Sequence, residues 1–200
     1  HRVDRRQRQM CIRDRANRGV EMNRFYSAPT CSPTRASMLT GINSLANGVI
    51  RPYANPRTES YGMPLYHKIL PEYLLEAGYQ TALSGKWHLG MSSDEYLPSS
   101  RGFQQTYGHM NGGIDYYDHS FSGRLDWHRD NIPLVEDGYA TNLIANEAIR
   151  IIKNKDKNKP LFLYVAFNAP HTPIQVENDV MNELLFIEDI DDRRYAANIY

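Results

Sequence analysis

Cysteine, long apolar runs and net charge are all scarce in this sequence, and each shortage closes off a class of protein. There are two cysteines, Cys11 and Cys31, too few for a disulfide-stapled scaffold. No apolar run is long enough to span a membrane as a helix. Lys and Arg number 23 and Asp and Glu 23, so the formal charge is zero, which argues against a protein that coats nucleic acid or another polyanion. Internal repeats and low-complexity stretches are absent. What remains is a chain of 200 residues, 41% hydrophobic and 23% charged, ordinary values for one globular core.

The charge balance hides a foreign-looking start. Arg5-Arg6-Gln7-Arg8-Gln9-Met10-Cys11-Ile12-Arg13-Asp14-Arg15 can be written codon for codon as one reading frame of a transposase-type sequencing adapter. Residues 1–15 are therefore expected to be adapter read-through and to take no part in the fold. The competing reading is a basic arm for nucleic acid. Without that segment the chain carries 17 basic and 21 acidic residues, net −4, and Cys31 is its only cysteine. A single cysteine says nothing about an oxidising compartment.

Chemistry concentrates first between Phe25 and Gly41, around Cys31-Ser32-Pro33-Thr34-Arg35 and the tail Leu39-Thr40-Gly41. Pro33 has a fixed φ and no N–H to lose, so it suits the first turn of a helix that Ala36 to Leu39 continue and Gly41 ends. Cys31 then sits at the helix N-terminus, where free N–H groups and the macrodipole favour an anion. Arg35, one turn on, shares its face and can fork onto a tetrahedral oxyanion. The spacing excludes a cysteine-phosphatase loop, which needs five residues between Cys and Arg; here there are three. A lone cysteine is otherwise most often a small buried hydrophobe.

A second concentration is Gly78-Tyr79-Gln80-Thr81 followed by Gly85-Lys86-Trp87-His88-Leu89-Gly90. In extended backbone Lys86 and His88 point to one side and Trp87 to the core. A cation beside an imidazole suits an anionic substrate and proton transfer. Taken alone, the same residues describe a surface lysine and a satisfied histidine around a buried tryptophan. His171 stands between Pro170 and Pro173, in a rigid turn after an apolar run. His67, His109, His119 and His128 read as surface or core histidines.

A short strand then a loop is expected over 19–26, and loop from Asn43 to Met63. A helix is expected from Leu65 to Ala77, kinked or split by Pro71 and ended by Gly78. Tyr79 to Ser84 is a strand, and Met91 to Tyr139 an aromatic, loop-rich stretch of the kind that is usually functional. Thr141 to Asn154 is an amphipathic helix, followed by a solvated turn over Lys153 to Lys159. Leu161 to Phe167 is a strand buried on both faces of a parallel sheet. After the acidic run from Glu183 to Asp192, a helix begins at Tyr195. The order β–helix–β–helix–β gives an α/β fold with functional groups at the carboxyl ends of strands.

The two motifs together resemble the two signatures of the sulfatase family: C-x-P-x-R with its Leu-Thr-Gly tail, and G-Y-x-T-x-x-x-G-K-W-H-x-G. Arg101-Gly102-Phe103 and Asp115-Tyr116-Tyr117 are similar to the arylsulfatase B-like branch. The resemblance implies an alkaline-phosphatase-like α/β domain, with residues 16–200 an N-terminal catalytic portion incomplete at both ends. It implies that Cys31 is oxidised by a formylglycine-generating enzyme and hydrated to a gem-diol, which cleaves sulfate monoesters of aryl compounds or sugars. By the same resemblance Arg35 holds the gem-diol, Lys86 binds sulfate oxygens, His88 acts as base, and His171 binds sulfate and assists the leaving group.

A divalent metal, calcium in preference to magnesium, is implied as well, bound by the formylglycine oxygen of residue 31 and by Asp-Asp and Asp-Asn pairs lying outside this chain. Asp115, Asp118 and Asp126 have no recognisable ligand spacing. The resemblance favours a periplasmic or secreted location, and a sulfated small molecule or glycan as partner, with no nucleic acid and no membrane span. The alternatives are a phosphate or phosphonate monoester hydrolase of the same superfamily, a non-catalytic sulfoglycan-binding protein, and a purely structural α/β domain.

Overall fold

In the computed structural model, which describes residues 10, 12–53 and 62–199, the Cys31 motif is a helix with punctuation at both ends. Residues 10 and 12–18 are helical (α1), and 12–27 are exposed throughout. The strand expected over 19–26 does not form, because the segment meets no ladder partner among the described residues. Helix α2, Cys31–Thr40, follows an extended Thr30, with Pro33 in its first turn where no N–H is missed. Gly41 ends it at φ 70°, donating its N–H to Ser37. Ser32, Pro33, Ala36 and Leu39 face the core, and Thr34 Oγ1 donates to Ala28 O at 2.7 Å, pinning the approach segment to the helix.

The expected loop from Asn43 holds one helical turn, α3, Ser44–Asn47, capped by the Asn43 side chain; residues 54–61 of that expectation lie outside the described residues. The expected helix at Leu65 starts five residues later, as α4, Leu70–Glu76. Pro71 lies in the first turn and opens the helix instead of kinking it. Ile69 N donates to Glu72 Oε2 at 2.6 Å, satisfying one orphan donor. Buried Arg101 donates to Glu72 at 3.3 Å and to His67 O at 2.7 Å, and Phe103 is 1% exposed. Arg101-Gly102-Phe103 is thus a packing device that docks α4 on the sheet.

The sheet runs β6-β5-β2-β1-β7. Its centre is β1, Gln80–Gly85, parallel on one side to β7, Leu161–Ala166, and on the other to β2, Gln105–Gly108. β5, His128–Arg129, and β6, Ile132–Pro133, add on antiparallel, while β3, Ser120–Phe121, and β4, Arg124–Leu125, form a separate ribbon. The 91–139 stretch is therefore not simply loop: it supplies β2 through β6 and two 3₁₀ turns. The strand burial expected at 161–167 is corrected too. Val165 is 36% and Phe167 44% exposed, since β7 has only β1 beside it among the described residues. Phe162 and Tyr164 nonetheless stack on Phe103, with centroids 6.2 and 6.4 Å away.

At the carboxyl ends of the three parallel strands the backbones nearly touch. A Cβ on Gly85 would lie 2.0 Å from Ala166 O, and one on Gly108 2.4 Å from Gly85 O, both at positive φ. Only glycine fits there, which is why the chain can turn from β1 straight into Lys86-Trp87-His88.

Helix α5, Ala140–Asn154, covers one face with Ile144, Ala148 and Ile151; α6, Asn178–Glu183, and α7, Ile190–Ile199, close the chain, the last starting earlier than the expected Tyr195. No helix among the described residues is long and apolar enough to cross a membrane. Glu147 on α5 is buried and takes hydrogen bonds from Arg129 at 2.8 Å and Arg150 at 2.7 Å, tying α5 to β5. Burial pushes its carboxyl up, but Arg150 and Arg129 outweigh that and hold it below the ordinary 4.5. Glu147→Ala is expected to cost about 2–3 kcal/mol, the scale of hydrogen bonds to a charged group. A depressed folded value means the contribution is complete above the ordinary carboxylate value and fades as pH falls through the folded one. Denaturation of both proteins at neutral and acid pH checks this; an equal gap at both would contradict it.

Candidate active site

Cys31 leads α2 and faces the loop that leaves β1. Its Sγ lies 3.2 Å from His88 Nδ1. Ser32 Oγ donates to His88 O at 2.9 Å, so two successive residues of the helix grip one histidine. Arg35 donates through Nε to Trp87 O at 2.7 Å and through Nη2 to Lys86 O. The guanidinium therefore spends two donors on the backbone of the second motif, and its charge still bears on Cys31. Tyr164 from β7 lies beneath it at 5.3 Å. The sequence separations of 51 to 57 residues are closed by side chains that the two motifs themselves supply.

Lys86 and His88 share a site, but not by the expected route. The strand ends at Gly85, and His88 has φ 55°, a left-handed conformation that favours glycine, in place of extended backbone. The residue is held there by Ser32 on its carbonyl, by its N–H on Met110 O at 3.0 Å, and by Nε2 against Tyr53 O at 3.1 Å. Trp87 is fully buried, as expected, and donates Nε1 to Tyr96 O at 2.9 Å. Lys86 Nζ is buried and donates to Gly112 O.

Burial lowers the Lys86 ammonium to about 8, with Cys31 pulling it up and Arg35 pushing it down. It stays a cation at neutral pH. Burial, then Lys86 and Arg35, lower His88 to about 4. His88 is accordingly a neutral imidazole near neutral pH, able to accept a proton.

His171 is the exposed member of the group. Its Nδ1 lies 2.7 Å from Thr172 O, and its carbonyl accepts Tyr116 Oη at 2.9 Å. It lies near enough to contribute to the lowering of His88. All five residues singled out in the sequence thus come to the carboxyl-end edge of the sheet.

The other histidines lie elsewhere or in the core: His109 and His119 are 1% exposed and stack on Trp127, and His67 packs beside Tyr66. Sequence reasoning missed two participants. One is Tyr53, whose contribution is a backbone carbonyl. The other is the Asn111-Gly112-Gly113 turn, signalled only by paired glycines.

No three His, Cys, Asp or Glu side chains among the described residues converge as a metal site. Asp115 caps Tyr117 N and Asp118 N, Asp118 caps Ser120 N, and Asp126 takes the N–H groups of Met110 and Asn111. The described residues do not of themselves converge on a divalent ion.

The sulfatase family model matches residues 4–193, nearly the whole chain. This chain belongs to the sulfatase family. The matched span begins inside the segment read from the sequence as foreign. Arylsulfatase J of Mus musculus is 34% identical over 190 residues, covering 91% of this chain and 32% of its own length. N-acetylgalactosamine-6-sulfatase of Homo sapiens is 33% identical over 178 residues, with 80% and 34% covered.

Among solved structures, Ps i-CgsB in complex with k-i-k-neocarrahexaose superposes with a TM-score of 0.75 at 30% identity, over 86% of this chain and 42% of that one. BT4656 in complex with its substrate D-glucosamine-2-N,6-O-disulfate gives 0.63 at 30% identity, over 82% and 30%. The mixed α/β sulfatase fold around a mostly parallel sheet is therefore the fold of this chain. The chain spans about a third of the length of the curated relatives it matches.

Proposed function

We propose that this chain is the part of a sulfatase catalytic domain that carries its nucleophile, and that the parent protein hydrolyses sulfate monoesters, sulfated sugars foremost. The observation that carries the proposal is the placement of Cys31 at the N-terminus of α2, 3.2 Å from the His88 imidazole and beside the buried Lys86 ammonium and the half-buried Arg35 guanidinium. Residues 16–200 are taken as this catalytic portion and residues 1–15 as foreign to it.

Once oxidised to formylglycine and hydrated, residue 31 supplies two hydroxyls on one carbon, one to attack sulfur and one to expel sulfate by re-forming the aldehyde. The residues around Cys31 suit that demand. Lys86 and the α2 N-terminus stabilise the sulfate charge. Arg35 fixes the Lys86-Trp87-His88 backbone and adds its own charge. His88 Nδ1, facing residue 31, accepts the proton whose loss drives sulfate out. His171, on the open side, contacts sulfate and attends the departing alcohol oxygen. The metal that the family implies enters no step here, since these residues do not hold one.

Support for a sugar substrate comes from the relatives, named for N-acetylgalactosamine 6-sulfate and related sugars. The test is turnover by the parent protein, matured with a formylglycine-generating enzyme, of 4-nitrophenyl sulfate, 4-nitrophenyl phosphate and a 6-O-sulfated hexosamine. Sulfate esters are expected to turn over at least ~100-fold faster than the phosphate, the discrimination an optimised polar site gives. Preference for the phosphate would replace the proposal by a phosphomonoesterase.

A further inference from the structure

The turn after β2 meets Lys86, His88 and His171. Gly112 O receives the Lys86 ammonium, and Met110 O receives the His88 N–H. A Cβ on Gly112 would lie 2.6 Å from His88 Cε1 and 2.9 Å from its Nε2. A Cβ on Gly113 would lie 2.6 Å from His171 Nδ1 and 2.8 Å from its Cε1. Neither glycine has a left-handed φ. The nearest atoms an added methyl would meet are those of the imidazole each one faces.

The turn is anchored from behind by Asp126, which is fully buried. Its Oδ1 accepts Met110 N at 3.2 Å; its Oδ2 accepts Asn111 N at 2.9 Å and Asn111 Nδ2 at 2.7 Å. His128 Nδ1 stands 3.7 Å from the same carboxylate. A buried carboxylate with three donors on one turn is a costly group unless the turn stays in place, so it holds that turn to one conformation.

We propose that Gly112 and Gly113 are positioning residues, separate bare-backbone seats for His88 and His171, and that Asp126 holds the pair of seats at one height. The proposal rests on the reading of the two histidines as catalytic. His88 is wedged between Cys31 Sγ, Tyr53 O and Gly112, so a methyl on Gly112 drives the ring off the 3.2 Å contact with residue 31. His171 has Gly113 as a close wall, and a methyl there turns it outward.

The side-chain NMR signals of the histidines in the full chain test this, with turnover by the matured parent as a second readout. Gly112→Ala should move the His88 ring signals and leave those of His171 and His67 in place. Gly113→Ala should move His171 and leave His88 and His67. In turnover, Gly112→Ala should lower kcat by roughly a hundredfold, the cost of misplacing a reacting group by about 1 Å, with KM changed far less. Either variant leaving its own imidazole unmoved, or moving all three alike, would overturn the proposal. Should the alanine variants not fold, Asp126→Asn, whichever way its amide is turned, sets an N–H₂ against the Met110 or the Asn111 donors; it should move His88 and His171 together and spare His67, and unmoved signals would overturn the proposal equally. The spectra need no turnover, so an inactive parent would sink the proposed function and leave this test standing.

Discussion

Replacing Cys31 by serine is expected to abolish steady-state sulfate ester hydrolysis by the matured parent, by a factor on the order of 10⁴ or more, the scale seen when a nucleophile is removed. The reason is stoichiometric. Serine offers one hydroxyl where the hydrated aldehyde offers two, so Cys31→Ser keeps an oxygen that can take a sulfuryl group but has no second hydroxyl to push it off. That oxygen still sits at the α2 N-terminus, with the charges of Lys86 and Arg35 bearing on it. The variant should therefore accumulate up to one sulfate per chain on residue 31, visible by mass spectrometry, and then stop. Cys31→Ala should neither turn over nor label. Sustained turnover by Cys31→Ser would mean that the reaction passes through some other group.

Lys86→Ala, His88→Ala and His171→Ala are each expected to lower turnover by about a hundredfold or more, the size of a lost electrostatic or acid–base group. The three should differ in kind. Lys86 is buried at the site and presents its ammonium there, so its loss weakens sulfate binding along with the transition state. His88 is neutral and in contact with residue 31, so its loss should fall on kcat. His171 is exposed and on the open side, so its loss should be smaller for substrates whose alcohol leaves easily, such as nitrophenol. His67→Ala, remote from the group, is the control and should change nothing. A His88→Ala variant with wild-type kcat would remove the proposed base.

What the sequence made legible was local. Pro33 and Gly41 mark both ends of α2, and Gly78 and the 79–84 run mark β1, because those residues act within one turn of themselves. The two site motifs were legible as patterns, though the 3.2 Å contact across 57 residues was not something spacing alone could give. Strands of two to four residues such as β2, β5 and β6 were not legible, since Gln105–Gly108 or His128–Arg129 is too short to show a period of two. They exist through pairing with distant segments, β2 on β1, β5 on β2 and β6 on β5, which is a tertiary demand. Pro71 illustrates the ambiguity of one residue: it kinks a helix from inside and opens one from the first turn, and only the Glu72 bond to Ile69 N decides which. His88 was expected on extended backbone, and its φ of 55° is imposed by Ser32, Met110 and Tyr53, all distant in sequence.

The most direct test of the account is the chemical state of residue 31. The parent protein, co-produced with a formylglycine-generating enzyme, is digested and the Cys31 peptide weighed and treated with an aldehyde-reactive hydrazide. The account predicts a peptide that has lost its sulfur, reacts with the hydrazide, and whose fraction converted scales with sulfate ester turnover. A peptide that remains an unmodified thiol, in a preparation that converts a known sulfatase peptide alongside it and still hydrolyses sulfate esters, would contradict it.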